Sequence, residues 1–266
     1  FGIIKTIKKR KVYVMHLVIF DGQYLFQMLK QEQAQVSHTA MADVADKIVS
    51  SIGATHALFV FSDMVNSWRK ELVDTYSIKK HDFSFSDLAL LGKHRAYLKQ
   101  CGYASVQVSK LEMFDISSII CNKIGTGKCK VTLITNCPLC FSLISESVEI
   151  KDAALTSTKT QGWLKSRIAL PKAMLGEYYS IHGLSSLGVP GTPEISKSEV
   201  IEVLNQYNGL YNIQKMLGEE IHDKKLKSVV DNFDQISRNY GVTLAKTDVK
   251  LGTSMHVMEV RNKIAA

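Results

Sequence analysis

The hydrophobic residues of this chain fall into short continuous runs separated by longer segments with helical spacing. The runs have the length of buried strands, and they cover residues 14–20, 57–61, 105–108 and 131–135. Between them the apolar positions recur every three or four residues, which predicts helices over 41–51, 88–101 and 115–123. Short apolar strands that alternate with helices predict an α/β fold with a mostly parallel central sheet and helices on both faces.

The pattern changes beyond about residue 171, where helices connected by a glycine-rich turn replace the alternation. The turn covers residues 183–191 and separates a predicted helix over 171–180 from one that starts near Ser196. Further helical segments are expected over 210–217 and 224–240. We therefore predict three regions within one compact unit: a basic N-terminal extension at 1–14, an α/β core at 15–170 and a helical region at 171–266.

The composition is that of a globular protein with an excess of positive charge. With 266 residues, 45% of them hydrophobic, the chain is long enough to bury a full core. No apolar run reaches the roughly 18–20 residues that span a bilayer, so we expect no membrane partner. There are 33 Lys and Arg residues against 25 Asp and Glu residues, which gives a net charge of +8. Such an excess favours a polyanionic partner such as nucleic acid.

The cysteines indicate a reducing compartment. An odd number of thiols in a long chain without a recognisable export signal is typical of cytoplasmic proteins, and we expect this chain in the cytoplasm. Cys137 and Cys140 form a C-x-x-C pair, for which a zinc site, a redox pair and two buried or half-buried thiols at a strand end are alternatives. No second ligand pair with zinc spacing occurs nearby, so we favour buried or half-buried thiols. The five cysteines are Cys101, Cys121, Cys129, Cys137 and Cys140.

Acidic residues follow three of the predicted strands. Asp21 and Asp63 come after the first two strands, and Glu112 and Asp115 come after the third. Ligands of parallel α/β sheets gather beyond the carboxyl ends of the strands. A single acid at such a position is more commonly a helix cap, but the recurrence at three strand ends predicts a shared acidic site.

Five segments carry a resemblance to a known family. Residues 16–22 are a predicted strand followed by Asp-Gly. Residues 55–80 contain a second predicted strand followed by an Asp, then an aromatic-Arg pair, a tyrosine and a basic cluster. Residues 111–115 place acids at the head of a helix, residues 131–143 form the next strand with its exit, and residues 183–191 form the glycine-rich turn. In this order and spacing they resemble the 5′-nuclease superfamily, which includes flap endonucleases and the 5′-exonuclease domains of bacterial DNA polymerases. The resemblance is greatest to its short standalone bacterial members.

The resemblance implies a PIN-like nuclease core followed by a helix–three-turn–helix whose loop, residues 183–191, grips duplex DNA. It also implies that Asp21, Asp63, Glu112 and Asp115 are the remnant of a catalytic carboxylate cluster. In relatives roughly seven or eight carboxylates hold two divalent ions; here Mg²⁺ or Mn²⁺ is expected if the chain is active, with Asp21 and Asp115 as ligands. Five expected acids are absent, and their positions hold Phe114, Cys137, Leu139, Leu184 and Leu187.

The resemblance further implies where DNA would bind. The backbone carbonyls of Leu184, Ser186 and Val189 are candidates for holding a K⁺ ion that in relatives meets a DNA phosphate. A helical hairpin that only stabilises the core is the alternative for this region. The candidate DNA contacts are Arg69, Tyr76, Lys79, Lys80, Ser185, Ser186, Gly188, Val189 and Gly191.

Three functions compete at this point. The replaced acids favour a monomeric DNA-binding protein of this superfamily that recognises branched or duplex DNA, such as a 5′ flap or a single-strand junction, without cutting it. An active metal-dependent 5′-3′ exonuclease or flap endonuclease with a reduced metal site is the first alternative. The second is an interaction subunit that no longer binds DNA; the charge of +8 favours DNA binding over it.

Overall fold

The computed structural model describes residues 15–32, 36–63, 65–77, 83–124 and 129–260. The predicted basic extension at 1–14 lies outside the described residues, and so do Lys79 and Lys80.

In the described part of the chain the strands form one central sheet: β1 (Met15–Asp21), β2 (His56–Val60), β3 (Ala104–Val106), β4 (Cys129–Ile134), β5 (Val148–Lys151) and β6 (Thr158–Lys159). Their order across the sheet is β3-β2-β1-β4-β5-β6. The first five strands run parallel, and β6 pairs antiparallel with β5 at one edge. In the central strand, Ile19 is in register with Leu58 of β2 and Leu133 of β4. The predicted mostly parallel sheet is confirmed.

Helices cover both faces of the sheet, because successive residues of a strand point to opposite sides. In β1, Leu17 and Ile19 belong to one buried cluster, whereas Val18 and Phe20 belong to another. The cluster around Phe20 includes side chains of three helices, which are α1 (Gly22–Glu32), α2 (Ala40–Ile52) and α3 (Phe85–Gln100). The cluster around Ile19 includes α4 (Met113–Ile124). The prediction of helices on both faces is therefore confirmed.

The C-terminal part of the described chain is helical, as predicted, and packs onto the same cluster as α4. Its helices are α5 (Gln161–Arg167), α6 (Leu175–His182), α7 (Lys197–Tyr207), α8 (Leu210–Gln214), α9 (Lys224–Asp231) and α10 (Phe233–Thr243). A capping box fixes the start of α7, because Ser196 accepts from the backbone of Glu199 while the Glu199 side chain accepts from the backbone of Ser196. The single helix predicted over 224–240 is two helices with a break at Asn232.

Some elements go beyond the predicted pattern. The chain enters α1 directly after β1, and this helix buries Leu25, Phe26 and Leu29. β5, β6 and α5 are only two to seven residues long, which is too short for a hydrophobic period to be recognised. Within the described ranges, no helix has both the length and the apolar character needed to cross a bilayer.

Candidate functional site

The four predicted acids lie along the carboxyl edge of the sheet. Asp21 is the last residue of β1, and Asp63 lies three residues beyond β2. Glu112 immediately precedes α4, and Asp115 is in its first turn. The strand exits are joined by a backbone hydrogen bond from the Asp63 N–H to the Leu111 carbonyl, at 2.9 Å. The acids therefore share one edge, but each has its own set of partners.

Asp115 is fully buried, and donors from three parts of the chain surround its carboxylate. The Arg69 guanidinium binds it in a bidentate manner, with nitrogen–oxygen distances of 2.7 and 2.8 Å. The backbone N–H groups of Glu112 and Lys246 donate to the same carboxylate at 3.0 and 2.9 Å. A carboxylate with these partners has no lone pair left toward solvent. The structure thus contradicts the predicted role of Asp115 as a metal ligand.

Arg69 is buried on all sides, with an exposed fraction of 0%. Besides Asp115, its guanidinium donates to the carbonyls of Val242 at 2.8 Å and Leu244 at 2.9 Å. The guanidinium carbon also lies 4.6 Å from the centroid of the Trp68 ring. Burial by itself would lower the pKa of Arg69, but the hydrogen bonds and negative charge of the neighbouring carboxylates raise it. The predicted contact between Arg69 and DNA is therefore wrong, because this side chain ties the head of α4 to the chain after α10.

Glu112 completes this buried network. Its carboxylate accepts hydrogen bonds from the hydroxyls of Ser67 and Tyr76, the latter at 2.6 Å, and Arg69 Nη1 lies 3.7 Å away. Burial raises the pKa of Glu112, although the charge of Arg69 and the two hydroxyls oppose that shift. Tyr76 is itself buried, and burial together with the Glu112 charge raises its pKa well above the usual value. The predicted contact between the Tyr76 side chain and DNA is also wrong.

Asp63 serves a local structural role at the exit of β2. Its carboxylate accepts hydrogen bonds from the backbone N–H groups of Lys110 at 2.9 Å and Asn66 at 3.1 Å. Burial would raise the pKa of Asp63, but these hydrogen bonds outweigh it and the pKa is lowered. Asp63 does not line the hollow that Asp21 and Glu112 share.

A small hollow of about 40 Å³ has both Asp21 and Glu112 among its lining residues. Asp21 accepts a hydrogen bond from the Thr135 hydroxyl at 2.7 Å and another from the Tyr24 backbone at 3.2 Å. Phe114 and Cys137 line the hollow, which agrees with the positions that the resemblance implied. Leu139 is buried in the core and is not among the residues that line it.

The glycine-rich loop between α6 and α7 is held by close backbone contacts. Gly183 has φ +80°, and a Cβ on it would collide with the backbone of Gly191. Gly188 has φ +68°, and a Cβ there would collide with the Thr75 carbonyl, whose residue also donates its hydroxyl to the Gly188 carbonyl at 2.7 Å. The Ser77 N–H donates to the Leu187 carbonyl at 3.0 Å. The loop is thereby docked on residues 75–77 of the core.

The hydrogen bonds within this loop restrict a K⁺ site. Leu184 and Val189 exchange backbone hydrogen bonds at 3.0 and 3.1 Å. The Leu184 carbonyl also accepts from the Leu187 N–H at 2.8 Å, so both of its lone pairs are used. Leu184 therefore does not fit the predicted K⁺ site, and coordination by Ser186 and Val189 stays a prediction.

Comparisons with known proteins extend over most of the chain, although no protein-family model matches it. The chain is 24% identical over 249 residues to flap endonuclease Xni of Vibrio vulnificus, across 91% of this chain and 95% of that protein. A structure of T5 5′-exonuclease with bound divalent metal ions (zinc) has a TM-score of 0.72 at 14% identity, covering 86% of this chain and 89% of the other. The catalytic core of Rad2 in complex with DNA substrate has a TM-score of 0.56 at 13% identity, covering 95% and 87%. The resemblance to the 5′-nuclease superfamily is thereby confirmed in sequence and in fold.

The residues that line the hollow do not fit a centre of two divalent ions. A pair of hard cations is held by several carboxylates in addition to water, and among the described residues the carboxylates that line the hollow are those of Asp21 and Glu112. Phe114 and Cys137 contribute a ring and a thiol in place of oxygen, and Glu112 is already bonded to two hydroxyls. Across the described residues, no group of three or more His, Cys, Asp or Glu side chains is arranged to hold a metal ion.

The residues that sequence reasoning missed are the partners of the acids. Glu112 and Asp115 alternate with the apolar residues Leu111, Met113 and Phe114, which is a signal that this segment is buried. Buried carboxylates require a cation or several donors. That requirement points to a buried Arg or Lys elsewhere, but it does not reveal that Arg69 is the residue.

Proposed function

We propose that this 5′-nuclease homologue binds DNA at a 5′ flap or single-strand junction and does not hydrolyse it. The observation that carries this proposal is the use of the surviving acids. Asp115 is paired with Arg69, Glu112 is bonded to Tyr76 and Ser67, and Asp63 holds backbone amides. These side chains stabilise the fold, and Asp21, the other acid that lines the hollow, accepts hydrogen bonds from Thr135 and from the Tyr24 backbone.

The support for DNA binding comes from charge and from the docked loop. The net charge of +8 favours phosphate contacts. In the loop, Ser185 and Gly191 are exposed, and Ser186 and Gly188 are half-buried. With the backbone of Val189 they form the DNA-contact set that we retain, together with Lys79 and Lys80. Among the structural relatives, Rad2 is described in complex with DNA substrate and a T5 flap endonuclease variant in complex with DNA and metal ions.

Binding is tested with a fluorescently labelled 5′-flap duplex at two salt concentrations. Contacts to about four phosphates would weaken binding roughly 100-fold between about 50 and 200 mM salt, because counterions are released. Absence of binding at low salt, or an affinity that does not change with salt, would contradict the proposal and favour an interaction subunit. Sedimentation of the free protein tests the expected monomer.

Cleavage is tested on the same substrate with Mg²⁺ or Mn²⁺, and we expect none. The control is the Asp21→Ala variant, since any cleavage that this variant retains comes from a contaminating nuclease. The names of the relatives, such as flap endonuclease Xni, favour the alternative of an active enzyme with a reduced site. Metal-dependent cleavage that disappears in Asp21→Ala would establish that alternative, and so would a Mn²⁺-soaked crystal with two ions about 4 Å apart at the hollow.

A further inference from the structure

A second groove of about 350 Å³ lies beside the hollow, and of its lining residues Ser185 and Ser186 belong to the DNA-contact set described above. It shares Pro138 and Ser186 with the hollow and extends along α5 and α6 to the glycine-rich loop. Its volume is in the range of about 300–1,000 Å³ that is typical of small-ligand sites. The groove thus adjoins both the glycine-rich loop and the hollow.

Aromatic rings form one wall of the groove. The rings of Phe141 and Trp163 are half-buried and meet edge to face, with centroids 5.3 Å apart and an interplanar angle of 70°. The Tyr178 and His182 rings lie 5.2 Å apart on the side of α6. Tyr178 is buried, so the accessible rings are those of Phe141, Trp163 and His182. Accessible aromatic rings are platforms on which unpaired bases stack.

The charged side chains that line the groove are positively charged. Arg167 and Lys197 are exposed and line it, and no Asp or Glu is among its lining residues. Among the salt bridges and side-chain hydrogen bonds of the described residues, none involves the side chain of Arg167 or Lys197. The Lys159 ammonium lies 5.8 Å from the centroids of both the Phe141 and Trp163 rings. The basic side chains can bind the phosphate of a nucleotide, and the neighbouring aromatic rings can stack on its base.

We propose that this groove binds an unpaired nucleotide of single-stranded DNA, with the base stacked on Trp163 and the phosphate held by Arg167 and Lys197. The proposal rests on the proposed function and deepens it, because it assigns the single-stranded part of a junction to this groove. The glycine-rich loop is then left to contact the duplex part.

The test uses a ten-nucleotide oligothymidylate and the fluorescence of Trp163. The chain has two tryptophans, and the other, Trp68, is packed against Arg69. We expect the oligonucleotide to quench the parent protein and to leave the Trp163→Phe variant unquenched. In fluorescence anisotropy with a labelled oligonucleotide, Trp163→Phe should keep most of the affinity, whereas Trp163→Leu should lose it by roughly 5- to 150-fold, the range for one stacked base.

The electrostatic part has a matched control on the same helix. Arg167→Gln should lower the affinity and reduce the salt slope by about 0.7, the value for one phosphate contact of a single strand. Lys165→Gln removes the same charge from an exposed residue of α5 that does not line the groove, and it should leave affinity and slope unchanged. Melting curves establish that each variant is folded, and Arg167→Gln provides the test if Trp163→Leu does not fold.

The outcomes separate this proposal from the proposed function. Binding of the flap duplex with unchanged Trp163 fluorescence, or equal effects of Arg167→Gln and Lys165→Gln, overturns the groove and leaves the proposed function standing. Quenching of Trp163 by the oligonucleotide without binding of the flap duplex supports the groove and overturns the proposed function.

Discussion

Replacing Arg69 by Met tests whether the remnant acids are structural. The substitution removes the guanidinium that lies between Asp115 and Glu112, and it keeps most of the apolar length of the side chain. It leaves two buried carboxylates without their cation and the carbonyls of Val242 and Leu244 without their donor. The variant should therefore be much less stable than the parent protein.

The magnitude follows from the burial of the pair. Removing one partner of a buried ion pair costs about 3–5 kcal/mol, because the remaining charge is left without compensation. For a chain of this size that corresponds to a fall in Tm of roughly 6–20 °C. Lys110→Met is the control, because it removes an ion pair with Glu71 that is exposed on both sides, at 2.7 Å, and such pairs contribute about 0–1 kcal/mol.

The assay is urea unfolding at pH 7, followed by circular dichroism, with thermal melts alongside. The double variant Arg69→Met with Asp115→Asn should lose less stability than the sum of the two single variants, since the second change removes the uncompensated charge. An exposed ion pair would change the free energy of unfolding by at most about 1 kcal/mol. If the free energy of unfolding of Arg69→Met lies that close to the parent value, the contacts of Arg69 with Asp115 and Glu112 do not stabilise the fold, and our account of the acids is refuted.

Three further predictions concern the same region. The raised pKa of Glu112 means that the folded state binds its proton more readily than the unfolded state does. The resulting contribution to the free energy of unfolding is present below about pH 4.5 and is lost as the pH rises through the folded pKa. The free energy of unfolding of Glu112→Gln should therefore lack this pH dependence, and an unchanged pH dependence would contradict the shift. Gly188→Ala should cost more than the roughly 1–2 kcal/mol of a left-handed alanine, because its Cβ meets the core; Gly53→Ala, with φ +63° and nothing within 4 Å, is the control, and equal losses of Tm would mean that the loop is not docked. The double variant Phe114→Asp with Cys137→Asp adds two carboxylates to the hollow, so Mn²⁺ should raise its Tm but not that of the parent. A folded variant whose Tm does not change with Mn²⁺ would show that these two side chains do not point into the same hollow.

The positions of β1 to β4, and the presence of helices on both faces of the sheet, follow from the sequence alone. The central strands are continuous apolar runs because both of their faces are buried, and this local pattern is readable without any tertiary contact. The same holds for the glycine-rich loop, where Gly183 and Gly188 adopt positive φ values that glycine tolerates. The order of these segments was sufficient to recognise the superfamily, and the positions of Asp21 and Phe114 at one hollow agree with that assignment.

The roles of the acids were decided only by the tertiary structure. Asp63, Glu112 and Asp115 look alike in the sequence, as acids that follow strands. In the fold, Asp115 meets Arg69 across 46 positions of the chain, and Arg69 meets Val242 across 173. No spacing rule encodes such contacts, because they arise where separate loops converge at a sheet edge. A buried charge is stable only beside a partner of opposite charge. Asp115, predicted to bind a metal, and Arg69, predicted to bind DNA, therefore form a structural ion pair.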